Sequence, residues 1–265
     1  MSVPSVVLAQ INIYPVKSCR GIPLQSAMLE DRGLQFDRRW MIVNEQNRLM
    51  TQRDMPQLAL VGVDVQSDCL SLTSPKIDQL RVPLVLKNVK ERTVTVWDDT
   101  VSALDAGDEP AEWFSRYLGV TARLVYMPDN ADRVASRKGF SSQVSFADAY
   151  PLLLISEASL EDLNRRLDEP LLMNRFRPNL VVRGCEPYAE DSWENFMIGD
   201  VLMHGVKQCG RCVTTTVNQS TGEKDKEPLK TLATYRERDG NVLFGMNLIH
   251  EGRGELRVGS TVTIL

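Results

Sequence analysis

The chain has 265 residues, 43% of them hydrophobic and 25% charged, with a formal net charge of −4. That length supports one large domain or two small ones around a real core, and the acidic balance argues against general nucleic-acid binding. No apolar run reaches the ~18 residues that a membrane-spanning helix needs, so no membrane partner is expected. The N-terminal stretch MSVPSVVLAQINIYPVK has no basic segment ahead of its apolar residues; it reads as a strand, not a signal peptide. The five cysteines, Cys19, Cys69, Cys185, Cys209 and Cys212, are odd in number and widely spread. They are expected to be free thiols in a reducing cytoplasm rather than a disulfide framework.

In chain order, residues 5–14 alternate and are β-rich, then run into a basic turn, Pro15 to Gly21. Short strand-like runs follow at 39–43, 58–65, 69–73 and 93–97, separated by polar turns as in a sandwich or barrel. Residues 108–119 predict a helix, with Asp108 as cap, Pro110 in the first turn and Gly119 as stop. Trp113, Phe114, Tyr117 and Leu118 fall on its buried face. Residues 127–147 are polar and aperiodic and read as a long loop, in which Arg133, Arg137 and Lys138 could guide an anion. A second helix is signalled at 156–167, capped by Ser156 and striped by Leu160, Leu163 and Leu167. Further strands are expected at 179–183, 196–199, 201–203, 256–258 and 262–264. The fold class is therefore mainly β with a few helices (α+β), with a soft boundary near residue 120.

Three constellations could carry chemistry. The first is Cys209-Gly-Arg-Cys212 ahead of a Thr-rich run. A thiol beside a fixed cation is available as a nucleophile or metal ligand. The pair is half of a four-thiolate zinc site with no second half, and it lacks the βαβ context of a thioredoxin-like motif. The second is Arg175-Phe-Arg-Pro-Asn179. On an extended segment, arginines two apart project to one face and can clamp an anion. The third is Lys17-Ser18 together with Asp37-Arg38-Arg39, a turn able to present an ammonium, a hydroxyl and N–H groups to an oxyanion. Each has a plainer reading as a small buried thiol, a solvated arginine pair or an ordinary turn. Glycine-rich phosphate motifs are absent, and the only histidines are His204 and His250.

Taken together, the stretches 13–21, 36–41, 154–160, 174–179, 193–200, 209–217 and 227–232 resemble the MOSC proteins that bind molybdenum cofactor. The resemblance is closest to the mitochondrial amidoxime-reducing components and to bacterial relatives that detoxify N-hydroxylated bases such as 6-hydroxylaminopurine. It implies an N-terminal MOSC β-barrel-like domain, residues 1–120, packed on a C-terminal MOSC β-barrel, residues 121–265, with the cofactor between them. It further implies Cys212 as the molybdenum ligand and catalytic residue. Lys17, Ser18, Arg38, Arg177, Asn179 and Arg211 would anchor the pterin.

The implied activity is reduction of hydroxylaminopurines, amidoximes and N-oxides by oxygen removal at molybdenum. A ferredoxin domain would need a C-x4-C-x2-C run, which this sequence lacks. No iron–sulfur cluster is therefore expected in this chain. Electrons would come from a separate flavin reductase or ferredoxin-type protein, unless the chain ends ahead of such a domain. The alternative is a cofactor carrier or sulfur-transfer module without turnover; a domain with interaction roles alone is a third reading. The Lys17, Ser18 and Arg38 segment favours the enzyme, because a sulfur carrier has less need of a closed cofactor cleft.

Overall fold

The computed structural model describes residues 5–87 and 89–265. The chain is mainly β, with three α-helices: α1 (Asp108–Leu118), α2 (Glu157–Asn164) and α3 (Leu229–Arg236). The largest sheet runs through the strands Ile22–Leu24, Val7–Ile13, Leu180–Arg183, Leu152–Ser156, Asn241–Glu251, Val201–Gly210, Asn195–Ile198 and Val262–Ile264. Leu152–Ser156 and Leu180–Arg183 pair in parallel, joined through α2, whereas their outer neighbours are antiparallel. Ser26–Glu30 pairs with Gly254–Arg257 in a smaller sheet. Leu8, Ile11, Leu29, Leu180, Phe196, Met203 and Leu256 meet in the core these sheets share.

A second lobe is built from the intervening chain. The strands Trp40–Val43, Arg123–Tyr126, Asp99–Asp105 and Glu91–Val96 form a four-stranded antiparallel sheet. A three-stranded meander, Gly62–Val65, Cys69–Thr73 and Leu80–Pro83, packs with α1. The apolar face of α1 is as the spacing predicts: Trp113, Phe114, Tyr117 and Leu118 are buried against Leu58, Leu70, Leu72, Leu80 and Val82. The first thirty or so residues are therefore spent mostly in the other lobe. The chain passes between lobes at Pro15–Arg20 and again at Gln35–Arg39, and these two passages carry Lys17, Ser18 and Arg38.

Several local expectations change. Residues 58–65 are not one strand: a 3-10 turn, Pro56–Leu60, precedes Gly62–Val65. Pro56 presets the helical φ at the start of that turn, and Tyr117 Oη donates to Gln57 O at 2.9 Å. Gly107, at φ +101°, caps α1 without a side-chain hydrogen bond; Asp108 pairs instead with Arg123 at 2.8 Å. Gly119 ends α1 in the left-handed conformation, as expected. Ser156 caps α2 by accepting from Ser159 N at 3.0 Å, and its own N–H reaches buried Glu190.

Residues 127–147 are not a loop throughout but hold a hairpin, Val134–Arg137 with Phe140–Gln143. Phe140 stacks on His204 at 3.8 Å and so fastens this hairpin to the large sheet. The strand expected at 201–203 continues to Gly210, paired with the strand Asn241–Glu251 that the sequence pattern did not reveal. Gly245 in that strand sits at φ +84°, and a Cβ there would lie 2.8 Å from Leu154 O and 2.7 Å from Ile155 Cγ1. Two register shifts in the partner strand break its alternation further.

Candidate functional site

A cleft of about 780 Å³ is lined by residues of both lobes. Lys17, Ser18, Arg38, Arg177, Asn179, Arg211 and Cys212 all line it, although the sequence separates the first from the last by almost two hundred residues. Ten lysine and arginine side chains line it against three aspartates, in a chain whose net charge is −4. A concave site with such an excess of cations concentrates a positive field and favours an anionic occupant.

Backbone strain gathers at the same place. Nine non-glycine residues among those described have positive φ, and six of them line the cleft: Ser18, Arg38, Trp97, Lys138, Arg177 and Asp239. For residues with a Cβ this region is disfavoured, and such strain is held only where surrounding contacts over-determine it. The positive φ of Arg177 also corrects one expectation. Arg175 and Arg177 do not share a face of an extended segment: Met173–Arg175 is a 3-10 turn and Arg177 lies at φ +55°. Both reach the cleft by way of that turn.

The contacts explain how each cation is held. Arg38 donates from Nη1 to Asp37 at 2.6 Å and to Asn179 Oδ1 at 3.0 Å. Burial works against its charge, but Asp37 and Tyr14 more than offset this and raise its proton affinity. Asn179 also accepts from Leu153 N at 3.2 Å and donates to Asn12 O at 3.2 Å. Its amide therefore binds Arg38 to two strands of the large sheet. The guanidiniums of Arg38 and Arg177 lie over the Tyr14 ring at 4.2 and 4.3 Å. Burial outweighs the pull of these two cations and pushes the Tyr14 phenol up to about 12, so it stays neutral and donates to Pro178 O at 3.0 Å.

Lys17 is 5% exposed. Its ammonium donates to Phe146 O at 2.7 Å and to Asp148 at 2.5 Å. Burial lowers its proton affinity, which Asp148 only partly restores. For Asp148 the balance runs the other way: burial among protein groups raises it, but Lys17, Arg38 and the Trp97 N–H together hold its carboxyl well below the usual carboxylate range. Its side chain nevertheless keeps 71% exposure to the open cleft, so solvent screens the pair. Ser18 lends its backbone carbonyl to Gln52 Nε2 at 2.6 Å. Gln52 and Gln219 exchange reciprocal amide bonds, and Arg177 Nη1 reaches Gln219 Oε1 at 3.5 Å.

The cysteine pair is arranged differently from its sequence order. Cys212 opens a 3-10 turn, Val213–Thr216, and its Sγ lies 3.4 Å from Thr214 Oγ1. Arg211, its neighbour in sequence, donates to Cys209 Sγ at 3.1 Å and to Phe176 O at 2.6 Å. Both thiols are half-buried and line the cleft. The other three do not line it: Cys19 and Cys69 are buried, and burial pushes Cys19 up to about 12 and half-buried Cys185 up to about 11.

Sequence reasoning missed Asp148, Trp97 and Arg53. Trp97 sits in the hairpin turn between Glu91–Val96 and Asp99–Asp105, with Arg53 over its ring at 4.3 Å and its N–H donating to Asp148 at 3.2 Å. Nothing in the local pattern marks these three; only the meeting of the lobes brings them to the cleft. Arg137 and Lys138 also line it, whereas Arg133 is buried and donates to Ser145 O, Ala147 O and Asp99. That arrangement makes Arg133 a brace for the segment bearing Asp148.

Comparison with known proteins agrees with this construction. Residues 5–121 match the MOSC N-terminal beta barrel domain, and residues 141–263 match the MOSC domain. The Mitochondrial amidoxime reducing component 2 of Bos taurus is 38% identical over 275 residues, covering 96% of this chain and 82% of its own. The Mitochondrial amidoxime-reducing component 1 of Homo sapiens is 35% identical over 278 residues, covering 97% and 82%. A solution structure from Bordetella bronchiseptica aligns over 38% of this chain and 86% of its own, at 25% identity and a TM-score of 0.32, too low to bear on the fold. With both of its halves matched and its relatives aligned almost end to end, this chain belongs to the MOSC family that includes the mitochondrial amidoxime reducing components.

Proposed function

We propose that this chain is a molybdenum-cofactor-dependent reductase of N-hydroxylated compounds: hydroxylaminopurines, amidoximes and N-oxides. The observation that carries the reading is the convergence of a half-buried thiol, Cys212, with the cationic lining of one cleft. The donor set fits a metal that arrives inside an organic group. Among the described residues no cluster of three or more His, Cys, Asp or Glu side chains is placed to hold a metal. The protein would thus contribute a single soft thiolate, with the remaining ligands belonging to the cofactor. The phosphate of a pterin cofactor calls for guanidinium and ammonium donors. Arg211 Nε is buried without a partner, a group that a bound anion nearby would compensate.

In this reading Cys212 binds the metal, and the cofactor supplies two-electron removal of oxygen from the substrate. Lys17, Ser18, Arg38, Arg177 and Arg211 hold the pterin and its phosphate, and Asn179 orients Arg38. The strained backbone at Ser18, Arg38 and Arg177 keeps these donors in place before the cofactor binds, so less ordering is lost on binding. Electrons would come from a separate flavin reductase or ferredoxin-type protein, and the location would be cytoplasmic.

The test is the molybdenum and pterin content of the chain purified from a cofactor-competent host. We expect near-equimolar metal and pterin in the parent and disturbed metal in Cys212→Ala. Arg177→Ala should lose pterin while its melting temperature changes little. A parent with neither metal nor pterin would overturn the reading. Cofactor bound without reduction of any N-hydroxylated compound would point to a carrier.

A further inference from the structure

Arg175 is the least satisfied buried charge at the cleft. The residue is 6% exposed. Its Nε and Nη1 are buried with no hydrogen-bond partner among the described residues. Nη2 makes no hydrogen bond among the described residues either, and it is the one guanidinium nitrogen not among the sealed, unpartnered atoms. Arg175 is among the residues that line the cleft. Burial lowers its proton affinity, and only Asp225 opposes this. The neighbours differ: Lys17 has Asp148, Arg38 has Asp37 and Asn179, and Arg211 has Phe176 O and Cys209.

A guanidinium cannot escape burial by losing its proton in ordinary conditions. An uncompensated one lowers the stability of the fold unless a counter-anion is supplied from outside the chain. The turn Met173–Arg175 packs against Val213–Thr216, the turn that Cys212 opens. The missing anion is therefore wanted beside the proposed metal ligand, at a wall of the same cleft.

We propose that Arg175 is an anion-binding residue of the cleft, taking a phosphate-type oxyanion at Nη2 beside the Cys212 turn. Identifying that oxyanion with the cofactor's own phosphate rests on the function proposed above; the binding of an oxyanion by Arg175 does not.

The experiment uses the full chain from a host unable to make the cofactor, titrated calorimetrically with inorganic phosphate. Arg175→Met should bind phosphate at least about tenfold more weakly than the parent, the loss expected for a charge-assisted hydrogen bond. Lys138→Gln removes a cation of equal charge from the same cleft and should stay within about twofold, as a screened surface charge does. In phosphate-free buffer Arg175→Met should also melt higher than the parent, because a flexible apolar side chain relieves the unpaired charge.

No phosphate binding by the parent, an unchanged affinity in Arg175→Met, or equal weakening in both variants would overturn the proposal. If Arg175→Met does not fold, Arg175→Gln is read by the same affinity criterion. The source of the oxyanion is then separated in the cofactor-loaded protein. Should the cofactor's phosphate fill the site, the loaded parent no longer binds inorganic phosphate and Arg175→Met retains less pterin. Phosphate binding that persists in the loaded parent and is lost in Arg175→Met supports a free anion at the same residue. Absence of pterin from every preparation would defeat the cofactor reading alone and leave the phosphate result standing.

Discussion

At the scale of single residues, neighbours in sequence are not the neighbours that matter. Arg211 precedes Cys212, yet its guanidinium turns to Cys209, leaving Cys212 against Thr214 and open to the cleft. We expect Cys212→Ala to abolish reduction of N-hydroxylated substrates and Cys209→Ala to retain much of it, measured as turnover with an artificial electron donor. Near-parental turnover in Cys212→Ala would remove the ligand assignment. Asp148 makes a second case. Lys17 and Arg38 outweigh burial and lower its proton affinity in the folded state, so its contribution to stability is complete above the ordinary carboxylate range and is lost progressively as pH falls below about 4. Asp148→Asn should cost at most about 1 kcal/mol at neutral pH, as befits a screened pair, and flatten the acid limb of the stability curve. Urea melts from pH 3 to 7 would show this, and parallel acid limbs in parent and variant would refute it.

At the scale of elements, what a segment packs against decides what its pattern can reveal. Helix α1 was legible because its aromatic face repeats at helical spacing and Gly119 stops it. Asn241–Glu251 was not, because residues on both of its faces are buried and Gly245 interrupts it with a positive φ. That same strand pairs with Val201–Gly210, which holds Cys209 and leads to the Cys212 turn at the cleft. Gly245→Ala should destabilise the chain by about 1–3 kcal/mol, since a Cβ there meets a carbonyl and the left-handed backbone is strained. Ser156→Ala should cost about 1–2 kcal/mol by removing the α2 cap. Both are readable as urea midpoints, and a change within a few tenths of a kcal/mol in either would contradict the packing described.

At the scale of the whole molecule, the two lobes are interleaved rather than strung in order. Val7–Ile13 pairs with Leu180–Arg183 and Ser26–Glu30 with Gly254–Arg257, while residues between them build the other lobe. Removing the early strands would expose the core that Leu8, Ile11 and Leu29 share with Phe196, Met203 and Leu256. The lobes should therefore unfold together. Trp40, Trp97 and Trp113 report on one lobe and Trp193 on the other, so fluorescence of Trp193→Phe, which reads the first lobe alone, should share its denaturation midpoint with the far-ultraviolet circular dichroism of the same variant, which reads both. Separated midpoints would show that the lobes melt independently.

The sequence by itself determined the fold class, the helices α1 and α2 with the Ser156 cap and the Gly119 stop, and which residues carry the donor chemistry that an anion or a metal would need. Local spacing, caps and donor chemistry are properties of short segments, and they survive without the rest of the chain. Only the tertiary structure decided that Lys17, Arg38, Arg177 and Cys212 share one cleft and that Asp148 and Trp97 join them. It also decided that Arg211 serves Cys209 and that Arg175 is left without a partner. The reason is physical: cleft, counter-charge and strain arise where the crossing segments and the turns of two lobes meet, and no local pattern encodes a contact between residues so far apart in the chain.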